Sequence, residues 1–333
     1  MAYNAPENPI HKEWSITTVT TLLRHPLFRP ALALLLSGLT SSPAVGLCLG
    51  ALLGLSMGNE AGAATAKRGK QWLQLSVILL GFGLPMGLIL QVGTASVGLT
   101  FLSILATLTV GLLLGRVFSV ERDLSLLLSG GTAICGGSAI AALAPAIGAS
   151  SAHTAVALAV VFLLNGLGLL LFPFLGQLAQ LSQEQFGLWA ALAIHDTSSV
   201  VGAGAAYGPE ALALATTIKL TRALWILPVS FAAARLYGSR SRAKVPWFLF
   251  GFLLAALVST LLPGPAALWE GLALAGKRLM VGTLFLVGAT LTREDLKKAG
   301  GRPLLEAVVL WVLVSGLSLA LIKYGGLRLA LPS

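Results

Sequence analysis

Residues 129–147 have the sequence SGGTAICGGSAIAALAPAI, an apolar stretch that is interrupted by two glycine pairs and a proline. Each glycine lowers helix propensity by about 1 kcal/mol relative to alanine, and an internal proline removes a hydrogen-bond donor. Because the glycine pairs lie on either side of Cys135, we predict that the chain unwinds there between two half-helices. Close helix packing through small residues is the alternative explanation of the same pattern.

The rest of the chain is as apolar as this stretch. Hydrophobic residues make up 56% of its 333 residues and charged residues only 10%, whereas about a quarter of the residues of a soluble domain are charged. Apolar runs of about 20 residues recur along nearly the whole chain, and this length suits a hydrocarbon core about 30 Å thick. Lipid offers no partners for backbone groups, so the spans must be helical, and we predict an all-α polytopic membrane protein.

The apolar runs predict about eleven transmembrane helices. Counted from a cytoplasmic amino terminus, they place the basic clusters inside, as the positive-inside rule requires. Residues 30–58 can alternatively form one bent helix, which would reverse the orientation of every later span. The predicted spans are 29–41, 43–58, 70–91, 93–117, 123–148, 152–175, 184–207, 210–236, 245–263, 270–291 and 303–325. The predicted outside turns are at Ser41, Val92, Ser150, Gly208 and Gly264.

The formal net charge of +10 comes from short basic clusters between the apolar runs. A nucleic-acid-binding protein would carry its basic residues on one face, so this distribution excludes that class. We predict a multi-pass protein of the bacterial inner (plasma) membrane, with residues 1–28 as a cytoplasmic N-terminal segment. The clusters predicted inside include Lys67, Arg68 and Lys70; Arg116 and Arg122; Arg235, Arg240, Arg242 and Lys244; and Arg293, Lys297, Lys298 and Arg302.

The number of spans predicts an internal symmetry. Eleven helices divide into one extra first helix and two sets of five, and consecutive units with an odd number of spans must be inverted relative to each other. We therefore predict a transmembrane domain over residues 29–333 that contains two inverted repeats, at about 43–175 and 184–325. Inverted repeats with broken helices near the membrane midplane are a common architecture of secondary transporters.

The glycine-rich interruption predicts one half of a binding site. A half-helix that begins near Ser138, with Ser138 as its cap, would point the amides of Ala139, Ile140 and Ala141 at the membrane centre. That end carries about half a positive charge and attracts anions. The substrate-binding residues predicted here are Cys135, Gly136, Gly137, Ser138 and Ala139.

A second group of polar residues begins in AIHDTSSVVGAGAAYG, residues 193–208, where His195 and Asp196 lie near the middle of an apolar span. A charged residue there costs about 2.5 to 3.5 kcal/mol, so such residues are usually paired or functional. The next span adds Lys219 and Arg222, which share one helical face. If Asp196 pairs with one cation, the other is left either for a substrate anion or to balance another buried dipole, although a purely structural ion pair also fits the pattern.

His195 is a candidate for proton coupling, because histidine changes its charge near neutral pH, although a lone histidine is more often simply hydrogen-bonded. Ser138, His195 and Asp196 also supply the residue types of a serine hydrolase triad. Adjacent side chains on a helix diverge by about 100°, however, so Asp196 would not orient His195. We therefore predict that the protein is not an enzyme and that it has no catalytic residues and no metal site.

Five segments together resemble the YeiH family (UPF0324) of bacterial membrane proteins, which is named for sulfate export. They are LLGFGL at 79–84, ICGGSAIAALAPAI at 134–147, FGLWAALAIHD at 186–196, KLTR at 219–222 and LFLVGATL at 284–291. The family is similar in architecture to the cation/proton antiporter and bile-acid symporter superfamily. This resemblance implies two discontinuous helices that cross, the first of them broken around Cys135 to Ser138. The count of inverted five-helix repeats then makes its partner the span that holds Gly282 and Gly288.

These observations together predict a secondary active transporter that moves a small anion by alternating access. The resemblance implies sulfate or a related organosulfur or inorganic anion as the substrate. A channel and an intramembrane enzyme are the alternative functions. We expect the lipid bilayer and the anion as partners and no cofactor; coupling to H⁺ or Na⁺ and assembly into a homodimer stay open.

Overall fold

The computed structural model describes residues 28–40, 43–58, 62–237, 247–262, 264–290, 300–325 and 327. In this part of the chain every regular element is a helix and none is a strand. The N-terminal segment and the basic residues at 240–244 and 293–298 lie outside the described residues. The helices are α1 (Phe28–Leu39), α2 (Pro43–Met57), α3 (Gly62–Gly81), α4 (Met86–Val117), α5 (Arg122–Ala133), α6 (Gly137–Ile147), α7 (Ser151–Leu178), α8 (Gln183–Ala193), α9 (Thr197–Tyr207), α10 (Pro209–Leu224), α11 (Ile226–Leu236), α12 (Phe248–Leu261), α13 (Ala266–Gly288) and α14 (Gly301–Lys323).

Five helices among the described residues are long and apolar enough to cross a membrane, and α10 and α11 count as one of them. Many of their large apolar side chains, such as Leu102, Phe174 and Leu317, lie on the outer surface. A soluble protein rarely exposes so much contiguous apolar surface. The prediction of an all-helical membrane protein is therefore confirmed. The five are α4, α7, α10 with α11 (Pro209–Leu236), α13 and α14.

Helices α1 and α2 form an antiparallel hairpin against α13. At the start of α1, Arg29 donates hydrogen bonds to the carbonyl of Gly58, just beyond the end of α2, and to that of Ala289. The single bent helix is thus wrong. The two helices have 12 and 15 residues, which is about 18 and 23 Å at 1.5 Å per residue. A hairpin returns the chain to the side from which it came, so the orientation of later spans is the same at any insertion depth.

One layer of the molecule, which we call the panel, consists of α1, α2, α3, α12 and α13. Helix α13 packs against α1, α2 and α3, and α12 packs against α3. Glycines make these contacts close: a Cβ on Gly276 would lie 2.9 Å from the carbonyl oxygen of Ser76. This is the small-residue packing that membrane helices use.

The other layer, which we call the core, consists of α4 to α11 and α14. Two of its polypeptide crossings are interrupted, between α5 and α6 at residues 134–136 and between α8 and α9 at residues 194–196. Helix α7 lies between them and packs against α5, α6 and α9. The interruption predicted around Cys135 is present.

The second interruption is not where the count of inverted repeats placed it. Helix α13 continues through Gly282 up to Gly288. Both glycines serve packing instead: a Cβ on Gly282 would lie 2.7 Å from the carbonyl oxygen of Ala33, and one on Gly288 would lie 2.7 Å from the amide nitrogen of Ala51. The assignment of the second broken helix to this span is therefore wrong, and the break at 194–196 takes its place.

The turn predicted at Val92 is also wrong. Val92 is buried within α4, and the chain turns between Gly81 and Met86 instead. The turn contains Gly83 and Pro85, residue types that punctuate helices. The apolar character of the segment hid this boundary, because leucine and phenylalanine continue through the turn.

Candidate functional site

The first break is a glycine turn. Gly136 has a φ of +62°, in the left-handed region that glycine adopts without steric cost. Its amide donates a hydrogen bond to the carbonyl of Gly131 at 2.8 Å, which closes the end of α5. The chain then enters α6 at Gly137, so the two half-helices predicted from the glycine pairs are separated by three residues.

Ser138 does not cap the second half-helix. Gly136 occupies the cap position, no side chain donates or accepts a capping hydrogen bond, and Ser138 is exposed. The amide of Ile140 donates to the carbonyl of Gly136 at 3.1 Å.

The amides at the start of α6 therefore differ in part from those predicted. In any helix the first amides have no intrahelical acceptor, and here these belong to Gly137, Ser138 and Ala139, of which Ala139 was predicted. Ile140 and Ala141 lie deeper in the helix. The positive end of α6 starts about two residues earlier than the sequence pattern indicated.

The second break is built around Asp196. Its carboxylate accepts hydrogen bonds from the amides of Ser198 at 3.0 Å and Ser199 at 3.4 Å, and from the hydroxyl of Ser198. The Asp196 amide in turn donates to Oδ1 of Asn165 on α7 at 3.0 Å. Asp196 is thus the N-cap of α9, where the positive end of the helix stabilises a carboxylate.

Lys219 and Arg222 close the other side of this break. Both side chains lie on α10 and are 0% exposed. Lys219 Nζ donates to the carbonyl of Ile194 at 2.7 Å, and Arg222 Nη1 donates to the carbonyls of Leu192 at 2.7 Å and Ala191 at 3.1 Å. Two cations therefore stabilise the carbonyl end of α8, which carries the negative end of the helix dipole.

The ion pair predicted between Asp196 and a cation of α10 is not formed. Of the salt bridges within 4.0 Å in the described part of the chain, none joins Asp196 to Lys219 or Arg222. All three residues bond to backbone groups instead, although Arg222 does so through Nη1 alone. The Asp196 carboxylate lies at one of the two helix termini that the break creates, and the cations of α10 lie at the other.

The two breaks meet at Gly136 and Asp196. A Cβ on Gly136 would lie 3.4 Å from both the Cα and the Cβ of Asp196. Cys135 precedes Gly136 in the chain, and Lys219 donates to the carbonyl of Ile194 within the second break. The structure thus brings the predicted residues of the two groups to one junction, which we call the crossing: Cys135, Gly136, Asp196, Lys219 and Arg222.

Two predicted residues lie at the edge of the crossing. The His195 ring is 1% exposed, lies 6.2 Å from the Trp311 ring, and neither ring nitrogen has a hydrogen-bond partner among the described residues. Gly137 faces the ring of Phe162, to which a Cβ would come within 3.0 Å. Ser138 is turned outward.

The crossing has unused hydrogen-bond donors. Nε and Nη2 of Arg222 are buried and have no partner among the described residues. These two nitrogens form the side-on edge of the guanidinium group, which binds two oxygens of an oxyanion at once. The hydroxyls of Thr216 and Thr217, on the same helix, are also buried without a partner in the described part of the protein.

A cleft of about 280 Å³ separates the panel from the core next to α10. The panel contributes Leu80, Leu274 and Lys277, and the core contributes Pro209 and Thr216. Thr216 is three residues before Lys219, so it links the cleft to the crossing. The exposed Lys277 lies near the middle of α13, and an ionisable residue at that depth usually lines a cavity.

Several polar residues of this region escaped the sequence analysis. Lys277 and Arg278 were detectable as two adjacent cations inside a predicted span. Asn165 was detectable as a lone amide in an otherwise apolar run. Glu306 was hidden because it follows a basic loop, where a carboxylate suggests only surface charge.

Comparison with known proteins identifies the family of the chain. The family model described as "Conserved hypothetical protein 698" matches residues 28–307. The UPF0324 membrane protein GSU2818 of Geobacter sulfurreducens is 52% identical over 87% of this chain and 94% of its own length. The chain belongs to the UPF0324 family of membrane proteins.

Two further relatives show that the similarity to UPF0324 proteins covers most of the chain. The protein Bd1437 of Bdellovibrio bacteriovorus is 47% identical and covers 85% of this chain and 90% of itself. The protein VV1_3166 of Vibrio vulnificus is 43% identical and covers 89% and 97%. The family resemblance predicted from the sequence is confirmed. No solved structure matches the chain.

Proposed function

We propose that this UPF0324 protein is a secondary active transporter of a small anion, and that the anion binds at the crossing. The observation that carries this proposal is the unpaired edge of Arg222. Buried polar groups are normally hydrogen-bonded, and leaving charged donors unpaired is costly. An oxyanion that accepts from Nε and Nη2 would remove that cost.

The charges at the crossing favour the same ligand. Lys219 and Arg222 formally contribute two positive charges and Asp196 one negative charge, so an anion would neutralise the excess. The first amides of α6, at Gly137 and Ser138, add the positive end of a helix nearby. A tetrahedral oxyanion such as sulfate offers the paired oxygens that a guanidinium edge binds best.

Alternating access between panel and core is the mechanism that we propose. The crossing belongs entirely to the core, whereas the cleft separates core helix α10 from panel helices α3 and α13. Movement of one layer against the other would open the crossing to one side at a time. In this proposal the eleven predicted spans include the α1–α2 hairpin, and the repeats are inverted as the odd number of spans per repeat requires.

The test is anion exchange in proteoliposomes. Vesicles that contain the purified protein are loaded with unlabelled sulfate, and the entry of labelled sulfate is measured; sulfite, thiosulfate and methanesulfonate are tested as competitors. A carrier should saturate and exchange label, whereas a channel should conduct without saturation. Exchange of none of these anions by the wild-type protein, or flux that never saturates, would overturn the proposal.

The variant Arg222→Lys isolates the guanidinium edge, because it keeps the charge and removes the two-nitrogen fork. We expect exchange to fall by at least tenfold. Arg116→Lys, at an exposed position of α4, is the matched control and should exchange at the wild-type rate. Circular dichroism melting of both proteins separates lost binding from lost folding.

A further inference from the structure

A second buried ionisable group lies away from the crossing. Glu306 on α14 is 0% exposed and lies where α14 meets α4 and α5. Gly115 on α4 leaves the space for it, because a Cβ there would lie 3.3 Å from Oε1 of Glu306. Glu306 is five residues after the start of α14, or about 8 Å along the helix.

The Glu306 carboxyl group is only half satisfied. The hydroxyl of Ser125 donates to Oε1 at 2.6 Å, whereas Oε2 is buried and has no hydrogen-bond partner among the described residues. An unpaired carboxylate in an apolar environment is costly, and a bound proton removes that cost. Glu306 is therefore placed to bind and release a proton.

No cation neutralises Glu306 in the described part of the chain. On its own helix, Arg302 is exposed and Lys323 lies at the opposite end. None of the basic groups on α14 or the helices packed against it lies within 4.0 Å of the carboxyl group. The titratable groups on the neighbouring helices are Arg116 on α4, Arg122 and Asp123 on α5, His153 on α7 and Glu184 on α8.

A row of hydroxyl groups leads from Glu306 to the crossing. Ser125, Ser129 and Thr132 lie on α5 at spacings of four and three residues, so they share one helical face. All three are buried, and the hydroxyls of Ser129 and Thr132 have no hydrogen-bond partner among the described residues. The row covers seven residues, or about 10 Å, and ends three residues before Cys135. We call it the hydroxyl row.

We propose that Glu306 is the proton-binding group of this transporter and that the hydroxyl row carries the proton between Glu306 and the crossing. This inference rests on the proposed function and names H⁺ as the coupling ion. Oε2 of the Glu306 carboxylate takes up one proton from the water beyond the N-terminus of α14. Consecutive hydroxyls of the row are one helical turn apart and are not hydrogen-bonded to each other, so a water molecule between them passes the proton on. Each hydroxyl and each water accepts one proton and gives up its own, so the row is unchanged. The carboxylate of Asp196 accepts the proton at the crossing, one for each proton that Glu306 releases.

Two measurements test the proposal separately. Infrared difference spectra of the protein in lipid, recorded over a pH series, detect the carbonyl band of a protonated carboxylic acid. We expect a titrating band in the wild type that is missing in Glu306→Gln and present in the control Glu184→Gln. Absence of this band from the wild type would overturn the proposal without any transport assay.

The second measurement follows protons and sulfate together. Vesicles that contain a pH-sensitive dye and the wild-type protein should change their internal pH when sulfate moves, and Glu306→Gln should lose the pH change and the pH dependence of exchange. Ser129→Ala should slow proton movement at least tenfold and leave sulfate binding unchanged. If Glu306→Gln does not fold, Glu306→Asp should shift the midpoint of the pH profile.

The outcomes distinguish this proposal from the proposed function. A titrating Glu306 band in a protein that moves no anion leaves the proton site standing and overturns anion transport. Sulfate exchange with an unchanged pH profile in both Glu306→Gln and Ser129→Ala overturns the proton site and leaves anion transport standing.

Discussion

Gly136 of the first broken helix lies directly against Asp196 of the second, and a side-chain Cβ on Gly136 would come within 3.4 Å of the Asp196 Cβ. The same glycine has a left-handed backbone, with φ at +62°. Gly136 therefore makes the turn within the first broken helix and also leaves room for the second broken helix. The crossing depends on a position where both requirements exclude a larger residue.

Gly136→Ala is expected to destabilise the protein by about 1 to 2 kcal/mol, because a left-handed conformation costs that much in any residue with a Cβ. It should also lower sulfate exchange, since the crossing must widen. Thermal unfolding in detergent and vesicle flux measure the two effects. Gly98→Ala is the control: Gly98 lies within α4 with open space around it, so stability should stay equal or rise. Equal unfolding temperatures of Gly136→Ala and Gly98→Ala would contradict the prediction.

Lys219→Ala should abolish exchange and lower stability by about 1 to 3 kcal/mol, because the carbonyl of Ile194 is left buried without a donor. The free energy of unfolding and the flux are measured on the same preparation. Lys67→Ala, at an exposed position of α3, should change neither quantity. Sulfate flux at the wild-type rate in Lys219→Ala would remove Lys219 from the binding site.

Asp196→Asn should keep the fold and bind anions more tightly. Asparagine caps helices about as well as aspartate, while the formal charge at the crossing rises by one. We expect the dissociation constant for sulfate to fall about tenfold, a change of about 1.4 kcal/mol. The melting temperature as a function of sulfate concentration gives this constant.

Asp196→Ala separates charge from capping at the same position. It raises the charge equally but removes the cap, so it should lose about 0.5 to 2 kcal/mol of stability. Weaker sulfate binding by Asp196→Asn than by the wild type would show that the carboxylate does not oppose the anion.

Lys277→Gln should slow the entry of anions without affecting the fold. Lys277 is exposed in the cleft between panel and core, and a lining charge raises the local concentration of an oppositely charged solute. We expect the half-saturating sulfate concentration to rise about three- to tenfold and the maximal rate to stay constant. The difference should shrink in high salt. Lys70→Gln, on the exposed surface of α3 outside the cleft, should behave as wild type.

The sequence predicted the helical membrane fold and the first break for the same reason. Both follow from local composition: long apolar runs require helices, and the paired glycines around Cys135 oppose one. The count of inverted five-helix repeats placed a second break in the span of Gly282 and Gly288, and this was wrong. Glycine also permits close packing, and only the neighbouring helices α1 and α2 decide which role applies.

The second break also has a local sequence signal, which is a helix-start pattern and not a glycine pair. Asp196 followed by Thr197, Ser198 and Ser199 is a helix start, since aspartate and serine favour N-cap positions. Inside a run of hydrophobic residues this pattern was attributed to ionisable side chains in a continuous span. The partners of Lys219 are backbone carbonyls, which no sequence pattern of side chains can indicate.

The bonds from Lys219 and Arg222 to the carbonyl end of α8 also limit how the protein can move. In a hydrocarbon environment those carbonyls would find no replacement donors if α10 drew away from α8. The two helices are therefore anchored to each other and must travel together. In the proposed transport cycle the ligand would move together with α8 and α10. The motion would then take place at the contacts between core and panel, such as those of α9 with α2 and α13.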